Sequence, residues 1–82
     1  MAKAYILVNC EPGSEKQVVD ELVAINGVTQ AHGLHGIYDV VAEVEAPSIQ
    51  ELRKIIIRKI RKIPAICFTK TLFGVSGKRS RF

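Results

Sequence analysis

Few side chains in this 82-residue chain could do chemistry, and their spacing argues against catalysis. Acid–base and nucleophilic catalysis need a base, a nucleophile and an orienting group converging within hydrogen-bond reach. The eight carboxylates (Glu11, Glu15, Asp20, Glu21, Asp39, Glu43, Glu45 and Glu51) are instead scattered over helix surfaces and turns, and no Cys–His or Ser–His–Asp arrangement is suggested. Cys10 and Cys67 lack zinc-ligand spacing, and metal transfer would want a Cys-x-x-Cys loop, which is missing. Two cysteines make no disulfide framework, and both are expected as small, mostly buried strand residues. The chain is therefore expected not to be an enzyme and to need no metal or cofactor.

Charge distribution is a stronger signal. All eight acids lie within residues 1–52 beside only two cations, Lys3 and Lys16, a net −6. Residues 53–82 hold ten Lys or Arg and no acid, a net +10. Such a block invites nucleic-acid binding through phosphate neutralisation. An RNA-reading sheet, however, needs stacked aromatics in the pattern Lys/Arg-Gly-Phe/Tyr-Gly/Ala-Phe-Val-x-Phe/Tyr, which this chain does not contain. Helix cations more often form a solvated face, and two oppositely charged halves can steer the assembly of copies. Direct nucleic-acid binding through the basic second helix and tail stays as the alternative.

The elements that must position these residues follow from periodicity. Residues 3–10 are rich in β-branched and aromatic types and predict a strand apolar on both faces, ended by Pro12-Gly13. Ser14 with Gln17 resembles a capping box, opening a helix over about 14–26 whose stripe is Val18, Leu22 and Ile25, with Gly27 as its stop. A second strand is expected over Val28–Leu34, at a sheet edge. His35-Gly36 then predict a tight hairpin turn into a third strand, Ile37–Glu45. There Tyr38, Val40, Ala42 and Val44 share one face, and Ile37, Asp39, Val41 and Glu43 the other. Ser48 with Glu51 predicts the cap of a second helix reaching about Ile63, before Pro64. Its apolar stripe is Ile49, Leu52, Ile56, Ile60 and Ile63, opposite Arg53, Lys54, Arg58, Arg61 and Lys62. The fourth strand is expected over Ala65–Val75, with Ile66, Phe68, Lys70 and Leu72 on one side and Cys67, Thr69, Thr71 and Phe73 on the other.

The order βαββαβ fits an α+β, ferredoxin-like fold: a four-stranded antiparallel sheet with two helices on one face. One domain is expected over residues 1–75, with a basic C-terminal tail over 76–82. No apolar run approaches the ~20 residues that span a bilayer, and the start has neither the length nor the cleavage site of a signal peptide, so a cytoplasmic location is expected. Two helices cover only one face of the sheet, yet the first strand sends Ala4, Ile6 and Val8 one way and Tyr5 and Leu7 the other. An open apolar face of several hundred Å2 is rarely left in water. A two-fold dimer, sheet on sheet, is the expected cover.

Several segments together carry a resemblance: His35-Gly36-Ile37-Tyr38-Asp39-Val40-Val41-Ala42, Ser48-Ile49-Gln50-Glu51-Leu52-Arg53 and Thr69-Lys70-Thr71-Leu72. Over about residues 3–75 the chain resembles the effector-binding (RAM) domain of the Lrp/AsnC, or feast/famine, transcriptional regulators. The resemblance implies a dimeric αβ sandwich or barrel, often built into larger homo-oligomers such as octamers, that binds an amino acid or similar metabolite where dimers meet. Full-length members carry a helix-turn-helix domain first; here Met1 directly precedes the first strand, so the expectation is a stand-alone version that assembles with itself or with full-length regulators. An ACT-type regulatory module shares the topology and the amino-acid ligand.

Carried over by position, Gly36, Tyr38 and Asp39 match the family's turn and Thr69 and Thr71 its last strand, with His35, and His32, able to line the same pocket. The residue types suit the task. Gly36 lets backbone approach a ligand or supplies φ > 0 for the turn. Asp39 accepts from an ammonium group or orders the turn. Tyr38 offers an apolar body with a hydroxyl at its tip. Cys10 and Cys67, on antiparallel neighbours, fall within reach of a disulfide, which the sequence leaves open.

Overall fold

The computed structural model describes residues 1–74, so the tail at 76–82 and the last residue of the expected fourth strand lie outside the described residues. Seven elements follow in order: β1 (Ala2–Cys10), α1 (Glu15–Val23), β2 (Val28–Gly33), β3 (Val40–Ala46), α2 (Ile49–Arg58), a 3-10 turn (Ile60–Lys62) and β4 (Ile66–Phe73). The strands form one antiparallel sheet in the order β2-β3-β1-β4, leaving β2 and β4 as edges. This is the expected ferredoxin-like arrangement.

The core lies on one side of the sheet. Ala4, Ile6 and Val8 of β1 and Val40, Ala42, Val44 and Ala46 of β3 are buried against Val18 and Leu22 of α1 and Leu52 and Ile56 of α2, with Ile60 and Ile63 closing the end. Both helices therefore cover the same face. Each buried Leu or Ile contributes roughly 1.5–3 kcal/mol, which makes Leu52 and Ile56 of α2, with Ile60 and Ile63 beyond its end, a main source of stability. Ile49, expected on that stripe, is instead exposed at the helix start.

Local chemistry explains the helix ends. Ser48 caps α2 as expected, its Oγ accepting from the Glu51 N–H at 3.2 Å. Ser14 makes no such cap; its hydroxyl donates to the Glu11 carbonyl at 2.5 Å, so the expected capping box does not form. α1 is also shorter than expected, ending at Val23 before a turn that reaches Gly27. There φ is +107°, and a Cβ would stand 2.7 Å from Ile55 Cδ1. α2 ends at Arg58 and the chain tightens into the 3-10 turn, so the expected long helix is two pieces.

Three further expectations are corrected. The connection after β2 is not a two-residue turn at His35-Gly36 but a six-residue loop, 34–39, and β3 begins at Val40, so Ile37, Tyr38 and Asp39 belong to the loop and not to strand faces. The loop is held at its base because the Leu34 N–H donates to the Asp39 carbonyl and the Asp39 N–H to the Val8 carbonyl, which joins its two ends and ties it to β1. In β4, Asn9 pairs with Phe68 but Cys10 pairs with Ile66, leaving Cys67 as the extra residue of a β-bulge. Ile66 thereby joins the core side, and only Phe68, Lys70 and Leu72 remain on the open side. Both cysteines are free, Cys10 buried and Cys67 exposed rather than buried, because the bulge takes Cys67 out of register with Cys10.

Candidate functional site

Two neighbouring regions gather the polar groups that the core leaves outside. The first is the 34–39 loop. Asp39 is its anchor: Oδ2 accepts from the Cys10 backbone N–H at 3.0 Å and from Asn9 Nδ2 at 3.4 Å, while Asn9 Nδ2 also donates to the Ile37 carbonyl at 2.8 Å. The end of β1 thus ties down the loop's far limb. Asp39 Oδ1 makes no hydrogen bond to a described residue. Gly36 has φ +149° and nothing within 4 Å of the position a Cβ would take, so it faces open space here. His35 is exposed, Tyr38 and Asp39 are half-buried, and Leu34 and Ile37 (86% exposed) present apolar surface at the tip.

The remaining residues marked in the sequence fall elsewhere. Thr69 lies opposite Val8 and Thr71 opposite Ile6, both on the helix side of β4. Thr69 shares a transverse row with Val8 and Val40, near the loop's base, whereas Thr71 faces α2. Within one chain, His35, Gly36, Tyr38 and Asp39 come together and Thr71 stands apart. His32 projects to the open sheet face, where its Nε2 lies 2.8 Å from Gln30 Oε1.

That open face is the second region, and its centre is a residue that sequence reasoning did not single out. Glu43 Oε1 accepts from Thr29 Oγ1 at 2.7 Å and Gln30 Nε2 at 3.3 Å; Oε2 accepts from Tyr5 Oη at 2.8 Å and lies 3.7 Å from Lys3 Nζ. The hydrogen bond from Thr29, then that from Tyr5, outweigh partial burial and hold its carboxyl at about 2, well below the ordinary 4.5. In return, the bond to Glu43 raises the Tyr5 phenol, and the carboxylate raises Lys3. The geometry depends on a bulge in β2. Val28 pairs with Val44 but Gln30 pairs with Glu43, so Thr29 is the extra residue and two successive side chains reach one carboxylate. The only signal in the sequence was a Tyr and a Glu on the same parity of adjacent strands.

Around Glu43 the face is mixed. Tyr5 lies between Glu43 and Leu72, Leu7 between Val41 and Lys70, and Asn9 beside Phe68. Leu72 and Phe68 are 40% and 54% exposed. Among the described residues, no helix covers this side. Among the described residues, no cluster of three or more His, Cys, Asp or Glu could hold a metal, and no helix is long and apolar enough to cross a membrane.

Comparison with known proteins decides the family. The model for the Lrp/AsnC ligand-binding domain matches residues 3–79, nearly the whole chain. The chain belongs to the Lrp/AsnC family. Among curated relatives, it is 36% identical over 76 residues to the HTH-type transcriptional regulator PH0140 of Pyrococcus horikoshii, covering 93% of this chain and 48% of that protein. The chain thus spans about half the length of the curated relatives it matches. The crystal structure of FFRP-DM1 superposes with a TM-score of 0.86 at 35% identity, covering 92% of this chain and 100% of that one. A transcriptional regulator from Neisseria meningitidis, NMB0573, crystallised as an L-Met complex, shares the fold at a TM-score of 0.74 and 12% identity over 96% of this chain and 53% of its own. Lrp/AsnC relatives are transcriptional regulators, not enzymes, and this chain is a regulatory domain of that type.

Proposed function

We propose that this Lrp/AsnC domain is a cytoplasmic sensor that binds an amino acid or similar small metabolite and reports it through its own assembly. Two copies stack their helix-free sheet faces, and the effector sits where the 34–39 loop of one dimer meets a neighbouring dimer. The observation that carries this reading is the loop itself. It offers an oxygen of Asp39 with no described partner, open space over Gly36 and two exposed apolar residues. A loop so anchored and so incomplete suits a pocket finished by a second subunit. Asp39 suits an ammonium group, and the backbone beside Gly36 suits a carboxylate. The L-Met complex of the Neisseria regulator supports the ligand class. Higher homo-oligomers, up to an octamer, and mixed assemblies with full-length Lrp/AsnC regulators follow from the same contacts.

The mechanism is linkage: a ligand that completes its pocket only between subunits stabilises that assembly, and assembly tightens binding by the same factor. The test is sedimentation velocity at micromolar protein with each of the twenty amino acids, beside a thermal-shift screen. At least one amino acid is expected to raise both the midpoint and the oligomer size. A monomer at micromolar concentration that responds to none would overturn the proposal.

One observation favours a second reading. Arg53, Lys54, Arg58, Lys59, Arg61 and Lys62 are all exposed, and among the described residues only Lys54 is ion-paired, with Glu51 at 3.5 Å. Nucleic-acid binding through this surface would show in filter binding at low salt and fall steeply at moderate salt.

A further inference from the structure

On the side of the molecule away from the 34–39 loop, α2 and β4 enclose a groove of about 250 Å3 lined by Arg53, Ile56, Ile57, Arg61, Thr71 and Phe73. Its floor is Ile56, part of the core, and its walls are Ile57 and Phe73, both substantially exposed. Arg53 and Ile57 lie one turn apart on α2 and Arg61 follows on the 3-10 turn, so the two arginines flank the isoleucine in the groove's lining. The Arg53 guanidinium lies over the Phe73 ring, 5.5 Å from its centroid. That contact holds the cation at the mouth of the groove rather than free in solvent. Neither arginine is in a salt bridge with a described residue. All eight acids of the chain fall at or before residue 51, so α2 beyond its first turn and β4 hold no acid of their own. Thr71 adds a hydroxyl on the β4 side.

We infer that this groove is a second binding site, for a small organic carboxylate with a branched or aromatic apolar body. The features select that class jointly. A guanidinium fork engages a carboxylate through two parallel hydrogen bonds, which a neutral ligand cannot repay. A bare inorganic anion would leave Ile57 and Phe73 in water, forgoing the apolar surface that an apolar body would cover. The volume is below the ~300–1,000 Å3 of drug-sized sites, and suits a metabolite. The site is separate from the proposed effector loop: β4 is one edge of the sheet, while the loop joins β2 and β3 at the other.

The experiment is a 1H–15N NMR titration of the intact protein with phenylacetate and with 4-methylpentanoate, using phenylacetamide and acetate as controls. The two apolar carboxylates are expected to shift the amides of Arg53, Ile57, Arg61, Thr71 and Phe73 saturably. Phenylacetamide, which lacks the charge, and acetate, which lacks the body, should each bind roughly tenfold more weakly or worse. Arg53→Gln with Arg61→Gln should cost at least a similar factor. Both side chains are exposed, and the dispersion of the variant's own spectrum verifies that it folds. Asp39→Asn should leave the titration unchanged, which keeps this result independent of the loop. Equal binding of phenylacetamide or acetate, an unaltered affinity in the arginine variant, or shifts centred on residues 34–39 would each overturn the assignment.

Discussion

Tyr5 and Glu43 lie 38 residues apart in the chain and face each other across β1 and β3, with the phenol donating to the carboxylate at 2.8 Å. Together with Thr29, Gln30 and Lys3, this contact fixes a charge at the centre of the uncovered sheet face. The ionised form of Glu43 is the one all four partners favour, and that sets a pH dependence.

The folded-state carboxyl of Glu43 titrates at about 2 and the unfolded one near 4.5, so the folded state binds the proton less readily. Its stabilising contribution is complete above about 4.5 and disappears as pH falls towards 2. Glu43→Gln should therefore flatten the acid limb of a midpoint-versus-pH curve in that window. An unchanged acid limb in the variant would show that the carboxylate is not held as described.

Asp39 is expected to separate loop order from ligand charge. Asp39→Ala leaves the Cys10 N–H without its acceptor and should cost about 1–3 kcal/mol in chemical denaturation. Asp39→Asn keeps an oxygen for that N–H, so it should restore most of the stability while weakening any amino-acid response. Equal denaturation midpoints for the two variants would contradict the anchoring role.

Among the described glycines, Gly27 is the least replaceable. With φ at +107° and Ile55 Cδ1 2.7 Å from a would-be Cβ, Gly27→Ala combines backbone strain with a clash. A loss of about 1–3 kcal/mol is expected on thermal unfolding. Gly36→Ala, where nothing stands within 4 Å, should lose only the backbone part.

The two helix-start serines should behave differently. Ser48→Ala removes a hydroxyl that accepts from the Glu51 N–H and is expected to cost about 1 kcal/mol. Ser14→Ala removes a donor to the Glu11 carbonyl but no cap, and should cost less. Paired urea titrations measure the difference directly.

These contrasts mark what could be seen in the sequence. Alternation in β1 and β3 grouped Ala4, Ile6 and Val8, and Val40, Ala42 and Val44, on common faces, and helical spacing grouped Leu52, Ile56 and Ile60, because both patterns are local; the structure makes these faces the core. The edge position of β2 and the Ser48 cap were legible for the same reason. The two bulges were not. An extra residue at Thr29 or Cys67 is defined only against the partner strand, and it reverses which face the following residues occupy. The Glu43 cluster depends on the first bulge and on donors 13, 14 and 38 residues away, so nothing in its own neighbourhood announced it. The 34–39 loop was half legible. Asp39 was marked out by the resemblance of its turn to the family's, whereas the six-residue span and the anchor at Asn9 and Cys10 come from contacts with β1.

The bulge at Cys67 has one more consequence. It lets a single strand serve two destinations, sending Ile66 inward to the helices and Phe68 and Leu72 outward. Shortening the chain by that one residue would force a choice between filling the interior and furnishing the outer surface. Strand length therefore carries information that composition does not: a deletion at a solvent-exposed thiol would disturb the core and the open sheet face together, though the thiol itself belongs to neither.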